Sequence, residues 1–194
     1  MVATSADLLA QARAGSNDAL GALFARCGPK LLALVRVRLG PALRREVDSC
    51  DVVQSTLVKA VAHLGEFAGR DRRSFMAWLA RIAENAVRDL ASYHGQQRRD
   101  AARRVSLESS PEAALVAARV RSQTSLVAQG ERLTQLERAL ESLSPEHREV
   151  IVLRAIEERE FTDVASRLQR SPDACRMLFA RAMTALTLAM DGRP

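Results

Sequence analysis

The chain has 194 residues, of which 47% are hydrophobic and only 4% aromatic, and it carries a formal charge of +6. Such a length allows one domain or two small ones with a real core, and apolar content resting on Ala and Leu makes an all-α class the natural expectation. No apolar run approaches membrane-spanning length, which excludes membrane insertion, while the charge favours a polyanionic partner.

In chain order, Leu8, Leu9 and Ala12 suggest a short helix ending at Gly15. Asn17 is the expected cap of a second, with Leu20, Leu23, Phe24 and Cys27 on one stripe and Gly28-Pro29 as its stop. A third runs from about Lys30 through Leu31, Leu32, Leu34, Val35 and Leu39. Gly40 and Pro41 break it, although Ala42 to Glu46 could resume helix. Asp48 and Ser49 offer a cap for a helix with Val53, Leu57, Ala60, Val61 and Leu64 facing inward and Asp51, Gln54 and Ser55 facing outward, ended by Gly65.

Residues 66–73 read as an arginine-rich loop. Ser74 is the expected cap of the next helix, whose stripe of Phe75, Trp78, Leu79, Ile82, Ala86 and Leu90 is the cleanest in the chain. The tryptophan is expected to pack in the core, as aromatic residues at helical spacing usually do. Beyond Tyr93 the chain turns basic, with Arg98, Arg99, Arg103 and Arg104 against Asp100. A solvated helix end explains such a run, and so does a phosphate track on which Tyr93 and His94 stack with unpaired bases. Residues 106–129, with Pro111, several serines and many alanines, read as a linker, with a transient helix from about Glu112 to Val120. The expected division is therefore 1–104, 105–130 and 131–194.

The second domain begins with Leu133, Leu136, Leu140 and Leu143. Ser144-Pro145 opens a helix whose Val150, Ile151, Val152, Leu153 and Ile156 are apolar over too wide an arc for the surface. Thr162 is the expected cap of a short helix carrying Phe161, Val164, Ala165 and Leu168. Only Gln169 and Arg170 separate it from Ser171-Pro172, a serine cap with proline at the first helical position. Ala174, Cys175, Leu178, Ala182 and Leu186 then form an inner face, and Asp173, Arg176, Met177, Ala180 and Thr184 another, with Arg181 at its margin. Two short helices joined so tightly have the form of a helix-turn-helix, whose second helix enters a major groove. An ordinary helical bundle gives the same spacing.

Cys27, Cys50 and Cys175 show no CxxC spacing, and His63, His94 and His147 form no ligand pair, so neither zinc nor any other metal or cofactor is expected. An intracellular protein with reduced thiols is expected. No HExxH, P-loop or acidic metal cluster suggests an enzyme.

Taken together, the chain from Asp7 to Met190 resembles the extracytoplasmic-function branch of the sigma-70 family, the bacterial initiation factors. The first domain is similar to sigma region 2 through Asp51-Val52-Val53-Gln54 and the run Phe75 to Asn85. The second is similar to region 4 through Leu143 to Val150 and the Ser171-to-Ala182 helix. The resemblance implies two helical domains on a flexible linker, a cytoplasmic non-enzyme, core RNA polymerase and promoter DNA as partners, and an anti-sigma factor as a candidate further partner.

It also implies residue roles. Asp48, Asp51 and Gln54 would dock on the polymerase clamp. Phe67, Arg70, Arg72, Arg73, Ser74, Trp78, Asn85, Arg88, Tyr93, Arg98 and Arg99 would engage the minus-10 element and its opened strand. Arg170, Ser171, Asp173, Ala174, Arg176, Met177, Ala180 and Arg181 would read the minus-35 element. Many relatives have glycine where this chain has Gln169. Met177 and Ala180 suit thymine methyls rather than polar base edges. The helix-turn-helix alone would also suit a stand-alone regulator, but that leaves the Asp51–Gln54 face and the Trp78 helix without a task.

Overall fold

The computed structural model describes residues 4–97 and 126–192. Those residues are helical with no strand among them, and the chain divides into two compact units, Met1–Thr124 and Ser125–Pro194. The transient helix expected near Glu112, together with Arg98, Arg99, Arg103 and Arg104, lies outside the described residues.

Unit 1 holds α1 (Ser5–Arg13), α2 (Asn17–Leu43), α3 (Ser49–Ala62), a 3-10 turn at Leu64–Glu66 and α4 (Arg72–Gln97). Thr4 starts α1 with a reciprocal cap: its hydroxyl accepts from the Asp7 amide, and the Asp7 carboxylate accepts from the Thr4 amide at 2.9 Å. The cap of α2 is Ser16, one residue before the expected Asn17.

Gly28-Pro29 does not stop α2, contrary to the sequence expectation. An interior proline removes one backbone bond. The apolar row, however, runs unbroken across it: Leu20, Leu23, Phe24, Cys27, Leu31, Leu34 and Val35 are all buried. Burying each large side chain is worth about 1.5–3 kcal/mol, so the row outweighs the lost bond. The break comes at Gly40, whose φ of 65° and ψ of 172° are outside helical range, and Pro41 begins one further turn. Helices α1, α3 and α4 all pack on α2.

Phe24, Phe67, Phe75 and Trp78 form one aromatic cluster, with ring centroids 5.0 to 6.3 Å apart. The Arg38 guanidinium of α2 meets the Glu84 carboxylate of α4 at 3.0 Å.

Unit 2 holds α5 (Leu126–Ser142), α6 (Pro145–Ile151), a π turn at Val152–Ile156, α7 (Phe161–Leu168) and α8 (Pro172–Met190). Helix α5 starts before residue 131, so the last residues of the expected linker, 126–130, are helical. Ser144 caps α6 as expected, and Val150, Ile151, Val152, Leu153 and Ile156 are buried as their breadth demanded. Arg148 reaches back to the carbonyls of Leu140, Glu141 and Leu143 at 2.9, 2.9 and 3.2 Å, satisfying the open end of α5. Thr162 is not the cap of α7. Glu160 occupies that position, and its side chain does not cap the first turn.

Candidate nucleic-acid interface

In unit 1 the site begins with a tight loop, residues 67–71. Phe67 is only 8% exposed, with its ring against Phe75 and Trp78. The Arg13 guanidinium lies over that ring at 5.2 Å and donates to the Phe67 carbonyl, which ties the loop to α1. Gly69 is required by crowding: a Cβ there would lie 2.3 Å from the Phe67 ring and 2.5 Å from the Ser74 hydroxyl.

Asp71, and not Ser74, caps α4. Its carboxylate accepts from the Ser74 amide at 2.8 Å, while its carbonyl accepts the first helical bond from Phe75. The Ser74 hydroxyl lies on the same carboxylate at 3.1 Å. These bonds, chiefly the one from the Ser74 amide, hold the Asp71 carboxyl below its ordinary pKa against a smaller opposing effect of burial.

From that cap, helical arithmetic aligns Ser74, Trp78, Arg81, Asn85 and Arg88 at alternating steps of four and three. The buried arc opposite is Phe75, Met76, Leu79, Ala80, Ala83, Ala86 and Val87. Trp78 therefore sits at the margin rather than in the core: half-buried, with one side against Phe67 and Phe75. Asn85 and Arg88 are exposed and joined by a 3.1 Å bond from the guanidinium to the amide oxygen. Arg81, exposed between Trp78 and Asn85, is not among the residues expected to engage the minus-10 element, although the spacing alone places it on this face.

Other expected members lie off this face. Arg70 and Arg73 are exposed and Arg72 half-buried around the loop and first turn. Tyr93 is exposed but projects roughly 100° round α4 from the stripe. Its ring meets His94 edge-on, and His94 lies 2.8 Å from Glu46. On α3, the Asp48 carboxylate caps the helix by accepting from the Cys50 amide at 2.8 Å. Asp51 is exposed and Gln54 half-buried on the same outward side. Burial, aided by Asp48, pushes the Cys50 thiol above its usual pKa.

In unit 2, α7 and α8 pack together through the turn at Gln169–Ser171. Gln169 adopts φ 54°, ψ 45°, the left-handed geometry that ends a helix. Arg170 follows, its amide donating to the Ala165 carbonyl at 3.0 Å and its guanidinium to Glu146 at 2.7 Å. The Ser171 hydroxyl then accepts from the Ala174 amide at 3.1 Å, with Pro172 in the first turn.

The expected inner face is confirmed for Cys175, Leu178, Ala182 and Leu186, which are buried, while Ala174 is half-exposed. Asp173, Arg176, Met177, Ala180 and Arg181 are all exposed. Met177, 58% exposed, lies near the middle of this face, with Arg176 and Arg181 towards its two edges. Asp173 pairs with Arg176, whose guanidinium also lies 5.4 Å over the Phe161 ring.

Two helical units, one ending in a capped and basic helix-turn-helix, have the form of a DNA-binding protein. Residues 23–103 match the model for sigma-70 region 2, and residues 133–186 match that for sigma-70, region 4. The chain is 28% identical over 165 residues to the RNA polymerase sigma factor CarQ of Myxococcus xanthus, covering 85% of each. It is 26% identical over 184 residues to the ECF RNA polymerase sigma factor SigD of Mycobacterium tuberculosis, covering 92% of this chain and 80% of that one. A solved structure of CnrH in complex with the cytosolic domain of CnrY matches 98% of this chain and 99% of that one, with 33% identity and a TM-score of 0.51. The chain belongs to the sigma-70 family, in its extracytoplasmic-function branch. It is an RNA polymerase sigma factor, and the stand-alone regulator is not favoured.

Proposed function

We propose that unit 1 opens the minus-10 element on the Ser74–Arg88 face of α4, and that unit 2 reads the minus-35 element with α8. The observation that carries this is the split character of α8. One side is buried and holds the helix to its unit, while the other presents Arg176, Met177, Ala180 and Arg181 to solvent from a capped N-terminus. On α4, cations and an amide flank one half-buried indole, a surface suited to phosphates and an unstacked base. Unstacking a base costs a few kcal/mol, and binding the released strand offsets it, so binding alone shifts the closed-to-open equilibrium and no catalytic group is needed.

Phe67, being buried, supports the loop instead of touching a base. Asp51 and Gln54 dock on core polymerase, with Asp48 setting the start of their helix. The chain works in the cytoplasm, where polymerase meets the chromosome; none of its described helices is long and apolar enough to cross a membrane. CnrH forms a complex with the cytosolic domain of CnrY, and an anti-sigma factor is the candidate further partner here. The test is run-off transcription with core polymerase on promoters from the protein's own genome. Specific initiation is expected, and failure on every such promoter would overturn the reading.

A further inference from the structure

We propose that Phe161 is a positioning residue for base readout. From the first helix of the helix-turn-helix, its ring holds the Arg176 guanidinium of the recognition helix in the pose that meets DNA. The inference rests on the reading of α8 as the minus-35 helix and names a residue of α7 that governs its specificity.

An exposed arginine samples many rotamers, and each contact that fixes it in advance removes part of the ordering cost of binding. Arg176 has two such contacts from different elements. Asp173, one turn earlier on α8, pairs with it. Phe161 lies beneath it, with 5.4 Å from the guanidinium carbon to the ring centroid, within cation–π range. The ring is itself fixed. Phe179 of α8 meets it edge-on at 6.0 Å, and the Arg154 guanidinium lies over it at 4.9 Å. The ion pair weakens as salt rises, and its carboxylate must share the guanidinium with any base edge that it meets. The ring face occupies no N–H donor, so Arg176 can keep this contact while its donors turn to guanine.

The experiment uses the full chain assembled with core polymerase and duplexes enriched from a pool randomised across the minus-35 region. Affinity for the enriched sequence and its single-base variants is measured for the wild type, Arg176→Ala, Phe161→Leu, Phe161→Tyr and the double variant Phe161→Leu/Arg176→Ala. Phe161→Leu is expected to lose roughly three- to tenfold in affinity, the size of the ordering cost of one immobilised side chain. It should flatten discrimination at the same base pair as Arg176→Ala and add nothing in the Arg176→Ala background. Phe161→Tyr, which keeps the ring face, should behave as wild type. In the free protein, the Arg176 Nε–H resonance should show a ring-current shift that Phe161→Leu removes and Phe161→Tyr keeps.

If Arg176→Ala loses discrimination while folded Phe161→Leu retains it, or if the two losses simply add, the positioning role falls and the reading of α8 stands. If Arg176→Ala binds and discriminates as wild type does, the base-reading role of Arg176 falls and takes the proposal with it.

Discussion

At Gln169 a side chain occupies backbone geometry that favours glycine, φ 54° and ψ 45°. The left-handed region costs an L-residue about 1–2 kcal/mol. Glycine there forfeits about 0.4–1 kcal/mol through its freer unfolded chain. Gln169→Gly is therefore expected to stabilise unit 2 by about 0.5–1 kcal/mol, read as a higher denaturation midpoint. An unchanged or lower midpoint would mean that the exposed glutamine makes compensating contacts. The turn is legible in the sequence because only Gln169 and Arg170 separate Leu168 from the Ser171 cap. The strain at Glu158, φ 60°, was not legible, since nothing local marks it.

Asp71 is a pH-sensitive residue. Its folded pKa lies below the unfolded value, so its contribution is present above about pH 3.9, the ordinary carboxylate value, and disappears as pH falls through the lower folded pKa. Carboxyl-carbon NMR titration is expected to give Asp71 a midpoint below that of a free aspartate. A normal midpoint would contradict the cap drawn for α4.

Among the helices, periodicity marks nearly all elements, and the structure departs from it where a local signal competes with a longer one. Gly28-Pro29 looks like a stop in a short window. Over the whole of α2, the step from Cys27 to Leu31 continues the row, and tertiary burial prevails. On α4 the apolar spacing runs through Trp78, whereas the buried arc is centred nearer Met76, Leu79 and Ala83, leaving the indole at the boundary. That shift leaves one side of the indole uncovered and brings Arg81 into line with Asn85 and Arg88.

Arg148 had no visible task in the sequence beyond its place in the region 4 motif. Its partners are carbonyls of a preceding helix, which no side-chain pattern reveals. Arg148→Ala is expected to destabilise unit 2 by about 1.5–3 kcal/mol, the range for bonds to a charged group. Lysine should recover only part of that, because an ammonium cannot fork across three carbonyls. Full recovery in Arg148→Lys, measured by chemical denaturation, would count against the forked cap.

For the whole molecule, composition and charge sufficed for an all-α class and a polyanionic partner. The division into two helical units followed from the composition of the central stretch. The roles of the two exposed faces came from the resemblance, since helical spacing reports packing and leaves the ligand open. Asp51→Arg reverses one exposed charge on the outward side of α3 without touching the core. It is expected to weaken co-purification with core polymerase while leaving the thermal midpoint of the chain within a few degrees. Normal holoenzyme assembly by that variant would remove this face from the polymerase contact.

The central claim is that the two faces do separable work at one promoter. Permanganate reactivity of unpaired thymines in the minus-10 element, measured beside protection of the minus-35 element, tests it most directly. Holoenzyme with Asn85→Ala/Arg88→Ala is expected to protect the upstream element normally while its minus-10 thymines stay unreactive, and Arg176→Ala is expected to lose upstream protection first. Full strand opening by the α4 variant, or loss of upstream protection by it alone, would contradict the account.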